Sequence, residues 1–239
     1  MDKGILSDKL TRILRLRTPP VSVSLFKSVK QIPLGVDIPK SGFTFCQLAA
    51  LARLNGGVQA GTKDSIGCSH ATSVLGMTDF PEDIKSGKRL RASRTDEGAV
   101  KFVATLPKIK TGTYEAVMTS PLQKAQVDPD VVIVTGTPAQ IMSMLNAITW
   151  ISGERISFSS TGHAAVCGEG VAAPLLARKP QIGIPCIGAR MYGLYQDDEM
   201  LIGIPGGQLD DIVKSLEEIG RAGMALPVPG WLAPPQGLR

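Results

Sequence analysis

The sequence has few aromatics and no long apolar run. Phe, Trp and Tyr make up 5% of its 239 residues, which excludes the rows of stacking side chains that hold single-stranded nucleic acid. No apolar stretch reaches the ~18 residues of a membrane span. The N-terminal stretch "MDKGILSDKLTRILRLRTPP" has no apolar segment followed by a small-residue cleavage site, so no secretory leader is expected. An excess of one charge is missing too. Lys and Arg number 26 against 21 Asp and Glu, a net charge of +5. Apart from "KLTRILRLR" at 9–17, the cations are dispersed among acids, which is no nucleic-acid footprint. A cytoplasmic protein with neither a nucleic-acid nor a membrane partner is expected. Thiols stay reduced in that compartment, so disulfides are disfavoured.

Signature motifs are also absent. "TGTPAQ" at 135–140 follows a strand and opens a helix, an end whose free N–H groups suit a phosphate or carboxylate. It lacks the lysine of a Walker loop and the glycine spacing of a dinucleotide fingerprint, and an ordinary strand-to-helix turn is the simpler reading. None of the cysteines belongs to a C-x-x-C pair.

What the chain does have is four isolated cysteines, each beside a glycine turn or a helix start. Cys46 lies in "FTFCQLAALAR", Cys68 in "SIGCSHATSVLGM", Cys167 in "HAAVCGEGVAAPLL" and Cys186 in "GIPCIGARMYG". Backbone N–H groups in such places stabilise a thiolate and donate to ligating sulfur. Four thiolates complete a tetrahedral zinc site or hold a cubane iron–sulfur cluster. Zinc usually takes paired C-x-x-C knuckles, so dispersed single cysteines fit the larger iron–sulfur cluster better, with zinc as the alternative. Two further readings stay open. The thiols are small buried hydrophobes of a binding or assembly protein, or Cys46 or Cys167 is a nucleophile with His70 or His163 as its base. His70, Glu169 and Arg190 stand close to cysteines in sequence and are candidates to support the site from behind the thiols. The acid run "QDDE" at 196–199 reads as a solvated turn.

The hydrophobic pattern predicts α+β architecture, a mixed sheet with flanking helices in one compact domain over 1–239. Leu6, Leu10, Ile13 and Leu14 trace one helical stripe. Strands are expected at 21–26, 99–107, 114–121, 131–134, 155–161, 181–186 and 199–206. Helices are expected at 46–54, from 138 onward behind a Thr137 N-cap and Pro138, and at 207–223. Residues 167–178 read as a glycine-rich loop and a short helix, and 227–239 as a Pro-rich tail. Two diverged halves are suggested. A strand is followed by Cys46 and Cys68 in the first half and by Cys167 and Cys186 in the second, with Leu-Ala-Arg at 51–53 and again at 176–178.

The segments "PPVSVSLF", "FTFCQLAALARLNGG", "SIGCSHATSVLGM", "TSPLQKAQVDPDVVIVTGTPAQIMSML" and "CGEGVAAPLLARKPQIGIPCIGARMYGLYQDDEMLIGIP" resemble, in order, the uncharacterised ArCR family, a domain of unknown function. The resemblance covers residues 19–220. It implies a cysteine at each of positions 46, 68, 167 and 186. It also implies the Pro-Cys-x-Gly-x-Arg of Pro185, Cys186, Gly188 and Arg190, and an acid at Glu169. Where the family often has Asp before that arginine, this chain has Ala189. The family carries no established activity. The expectation is therefore a metal-binding protein, most simply an iron–sulfur protein with a redox or electron-transfer role and a small-molecule or redox partner. Homo-oligomerisation and enzymatic activity are left open.

Overall fold

Asp2 opens the first helix by accepting hydrogen bonds from the N–H groups of Gly4 (2.8 Å) and Ile5 (3.1 Å). This helix, α1 (Lys3–Leu14), buries Leu6, Leu10 and Leu14 and ends on Arg15 in the left-handed conformation. The computed structural model describes residues 2–40, 42–89 and 92–224; the Pro-rich tail read at 227–239 lies outside the described residues. Next in the chain come β1 (Val21–Phe26), α2 (Phe45–Asn55), β2 (Gln59–Thr62), α3 (Ser69–Val74), α4 (Glu82–Lys85), α5 (Asp96–Thr105) and β3 (Ala116–Pro121). The second half follows as β4 (Val131–Gly136), α6 (Pro138–Ser152), a π-helical segment (Ala165–Ala172), α7 (Ala173–Ala177), β5 (Gln181–Gly183), α8 (Ile187–Gly193), β6 (Met200–Pro205) and α9 (Leu209–Arg221).

The six strands form one α+β sheet in the order β2-β3-β1-β4-β6-β5, antiparallel at every neighbouring pair. The pairing is two-fold symmetric about its centre. Val21 pairs with Ile133, Ser22 with Val132 and Val23 with Val131. Exchanging β1 for β4 maps the first of these pairs onto the third. The symmetry extends outward. Val21 pairs with Pro121 as Val131 pairs with Pro205, and Val23 with Thr119 as Ile133 with Gly203. Gln59 of β2 meets Thr119, and Gln181 of β5 meets Gly203. Each half thus places its first strand at the centre, its second at the edge and its third between them. The two halves expected from the sequence have the same topology.

Strand alternation sorts the core into two layers. Val21, Val23, Val117, Val131, Ile133 and Leu201 face α2, α3, the π-helical segment and α8. Val132, Val134, Ile202 and Ile204 face α1, α6 and α9. Thr137 and Pro138 start α6 as expected, with the Thr137 N–H donating to Gln140 Oε1 (2.7 Å). Gln140 Nε2 in turn donates to the carbonyls of Leu14 and Arg15 (2.8 Å each), so this helix start is occupied by the end of α1.

Three local expectations are corrected. Residues 99–107 were expected to be a strand, but 96–105 are helical. Thr95 caps α5 through the Gly98 N–H (3.1 Å), and Asp96 and Glu97 suit its positive end. Residues 155–161 form no strand. The glycine-rich stretch after Cys167 is not a loop, because packing against β6 holds it helical.

Candidate metal centre

Four elements on one face of the sheet carry the four cysteines. Cys46 is the second residue of α2, set there by a capping box. The Gln47 N–H donates to Thr44 Oγ1 (3.2 Å) and the Thr44 N–H to Gln47 Oε1 (2.8 Å). Its first-turn position leaves nearby N–H groups without helical acceptors. Cys68 is the N-cap of α3. The preceding Gly67 donates its N–H to the Phe43 carbonyl (3.1 Å), and a Cβ there would overlap the carbonyl of Gly42. Only glycine lets the two loops cross here.

Cys167 sits inside the π-helical segment. The N–H groups of Gly168 and Glu169 both donate to the Ala164 carbonyl, at 2.6 and 3.2 Å, the widened turn of a π-bulge. Backbone packs on backbone beside it: a Cβ on Gly203 of β6 would overlap the carbonyl of Gly170. The matching position of the other half, Thr119, donates its hydroxyl to the Leu48 carbonyl of α2 (3.0 Å). Cys186 is the N-cap of α8.

These placements put the four thiols against one core cluster. Cys167 belongs to the core cluster of this face, and Cys46, Cys68 and Cys186 pack against it. A Cβ on Gly193, at the end of α8, would stand 3.4 Å from Cys46 Cβ. The thiols also sense one another electrostatically. Burial pushes the Cys167 thiol up, and Cys46, Cys68 and Cys186 add to the shift. Burial likewise raises Cys46, with Cys186 and Cys68 adding to it. A nucleophilic thiol is one held below its ordinary pKa, and the direction at Cys46 and Cys167 is the opposite. Among the described residues, no three His, Cys, Asp or Glu side chains lie close enough to hold a single metal ion.

The other candidates fall into place around this group. His70 is half-buried edge-on to Phe80 (5.8 Å between centroids), and its buried Nε2 has no hydrogen-bond partner among the described residues. Burial lowers its pKa, with the charges of Arg89 and His163 lowering it further. His163 packs edge-on against Phe102 at 4.9 Å. Glu169 is buried on the β5 side, where Gly183 leaves room for it. Burial pushes its carboxyl up, and a backbone hydrogen bond from Thr161 opposes that. Arg190 donates to the Gln196 carbonyl (2.8 Å) and to Asp197 Oδ1 (3.1 Å), so its guanidinium braces the loop after α8. Asp197 and Asp198 of the acid run are solvated, as expected.

Its last member, Glu199, is buried and belongs to a network that the sequence reading missed. Arg53 Nη1 donates to both Glu199 carboxylate oxygens at 3.0 Å, and Nη2 donates to the carbonyls of Gly193 and Leu194 at 3.1 Å. The guanidinium stacks 4.3 Å over the Tyr195 ring. Burial pushes the Tyr195 phenol up to about 12. This network ties α2, which carries Cys46 in its first turn, to the end of α8, which Cys186 caps. One signal was legible: an arginine inside the apolar run "LAALARL" must find a partner when buried.

A sequence profile of the family described as uncharacterised ArCR (domain of unknown function 169) matches residues 9–215. An uncharacterised protein of Methanocaldococcus jannaschii is 28% identical over 213 residues, spanning 87% of this chain and 91% of that protein. No solved structure matches the chain.

Proposed function

We propose that this chain, which belongs to the uncharacterised ArCR family, is a cytoplasmic iron–sulfur protein in which Cys46, Cys68, Cys167 and Cys186 hold one cluster and pass electrons to a redox partner. One observation carries the reading. Each half of a two-fold sheet delivers two cysteines to the same face: one from a helix after its central strand, the other as the N-cap of a helix after its edge strand.

The cluster is preferred to zinc on ligand geometry. A zinc–sulfur distance near 2.3 Å puts tetrahedral thiolates about 3.8 Å apart, and no three ligands among the described residues gather that closely. A four-iron cluster holds its cysteines farther apart, at the corners of a cubane. The chain's own residues supply the setting. The core beneath Cys167 excludes water, the starts of α2, α3 and α8 offer N–H donors to sulfur, and the Arg53–Glu199 pair fixes the spacing of two ligand-bearing elements. Such a cluster, when bound, supplies one-electron transfer.

Anaerobic reconstitution of the full chain with ferrous iron and sulfide tests this. The expected product is brown, with about four iron and four sulfide per chain, and single Cys→Ser variants at the four positions lose most of the iron. A colourless chain holding one zinc, or no metal at all, overturns the cluster.

A further inference from the structure

A cavity of about 500 Å³ lies away from the thiols. It opens between the end of α6, residues 153–157, the turn joining α7 to β5, and the start of α9. Ile148 and Ile212 form its apolar floor and belong to the core on the other face of the sheet. The volume is that of a small organic ligand rather than a lone ion.

Its charges do not cancel. The two carboxylates on the rim are each answered by a lysine, Glu154 by Lys179 (3.9 Å) and Asp211 by Lys214 (3.4 Å). Arg155 and Arg178 also line the cavity, and neither guanidinium has an ion pair or hydrogen bond among the described residues. Arg178 is held in place by its backbone. It closes α7 in the left-handed conformation, φ 52°, and its carbonyl accepts from Gln208 Nε2 at 2.8 Å. Two unpaired guanidinium forks above an apolar floor match a ligand with an anionic head and an apolar body.

We propose that this cleft binds a small organic anion, its carboxylate or phosphate head held by Arg155 and Arg178 and its apolar body resting on Ile148 and Ile212. The site is independent of the cluster and is testable whether or not metal is bound.

Calorimetric titration of the full chain with hexyl phosphate and hexanoate, against hexanol and inorganic phosphate, is the test. At least one of the two amphiphilic anions is expected to saturate a single site, and which one does so identifies the head group. Hexanol and inorganic phosphate are expected to bind at least about tenfold more weakly, since each half of the ligand then loses its partner. The exposed pair of substitutions Arg155→Gln and Arg178→Gln is expected to weaken the anion about tenfold or more without moving the thermal midpoint. The proposal is overturned if neither anion saturates, if phosphate alone binds as tightly, or if the double variant binds like the parent. A shifted midpoint in the double variant sends the test to Ile148→Asn, at a lining residue that is only partly buried. That variant must lose the anion while keeping the parent's far-ultraviolet spectrum, and retained binding there also overturns the site.

Discussion

Arg53 and Glu199, 146 residues apart in sequence, form an ion pair closed to solvent, with Nη1 3.0 Å from both carboxylate oxygens. Both charges are desolvated, so the pair is worth far less than the cost of breaking it. Arg53→Met leaves a buried carboxylate alone and is expected to lower unfolding stability by about 3–5 kcal/mol. Arg53→Met with Glu199→Met removes both charges and is expected to recover most of that loss. Urea unfolding of the two variants checks this. A double variant no better than the single one would mean that the pair does more than neutralise itself.

The close approach of the π-helical segment to β6 gives a second prediction. Gly203→Ala forces the Cβ into the Gly170 carbonyl and to 2.9 Å from Pro174 Cγ. Backbone cannot swing aside as a side chain does, so a loss of about 1–3 kcal/mol or more is expected. Gly207→Ala, four residues on with open space around it, serves as the control and is expected to stay near the parent. Equal urea midpoints for the two variants would contradict the packing.

Local chemistry decided what could be read from the sequence. The valine runs of β1 and β4 and the Thr137–Pro138 start of α6 declare themselves within a few residues. α5 was misread because Val100, Phe102 and Val103 suit a strand as well as a helix, and its decisive signal, Thr95 before two acids, lies ahead of that apolar stretch. The segment after Cys167 has two glycines in four residues, a loop signal on its own. What keeps it helical is β6 lying across it, and no local window contains that contact. The repeat was visible but misaligned. Leu-Ala-Arg is not equivalent in the two halves, since Arg53 is buried and Arg178 is an exposed helix end. The true register pairs Val21–Phe26 with Val131–Gly136 and Ala116–Pro121 with Met200–Pro205. The placement of the four cysteine-bearing elements on one face follows that register.

Acid sensitivity at the α4 end of the molecule follows from Asp79. Lys108 (2.7 Å), then Lys85 (2.9 Å) and the Phe80 N–H (3.0 Å), hold its carboxyl well below the usual range. A carboxyl lowered by folding contributes stability above its unfolded pKa, about 3.9, and that stability drains away as the pH falls through the folded value. Asp79→Asn is therefore expected to be less stable than the parent at pH 7, with the gap narrowing below about pH 4. Urea midpoints at pH 7, 4 and 3 would show it. A gap that stays constant across this range would assign the loss to packing instead of charge.

The proposed metal binding would couple to folding, because the four cysteines come from four separate elements of the face. Anything that binds only the folded chain stabilises it by mass action, about 2.7 kcal/mol at a hundredfold excess over Kd. For a chain of this length that is a thermal shift on the order of 5–10 °C. Stripping the reconstituted protein under anaerobic conditions is expected to lower the midpoint by that amount and to open the thiols to alkylation, with Cys167, the most buried of the four, reacting last. The ligands must shed protons to bind, so the metal-dependent increment is expected to shrink as the pH falls from 8 toward 6. Reconstituted and stripped protein melting together at pH 8, with equal alkylation of all four cysteines, would show that the thiols share no ligand.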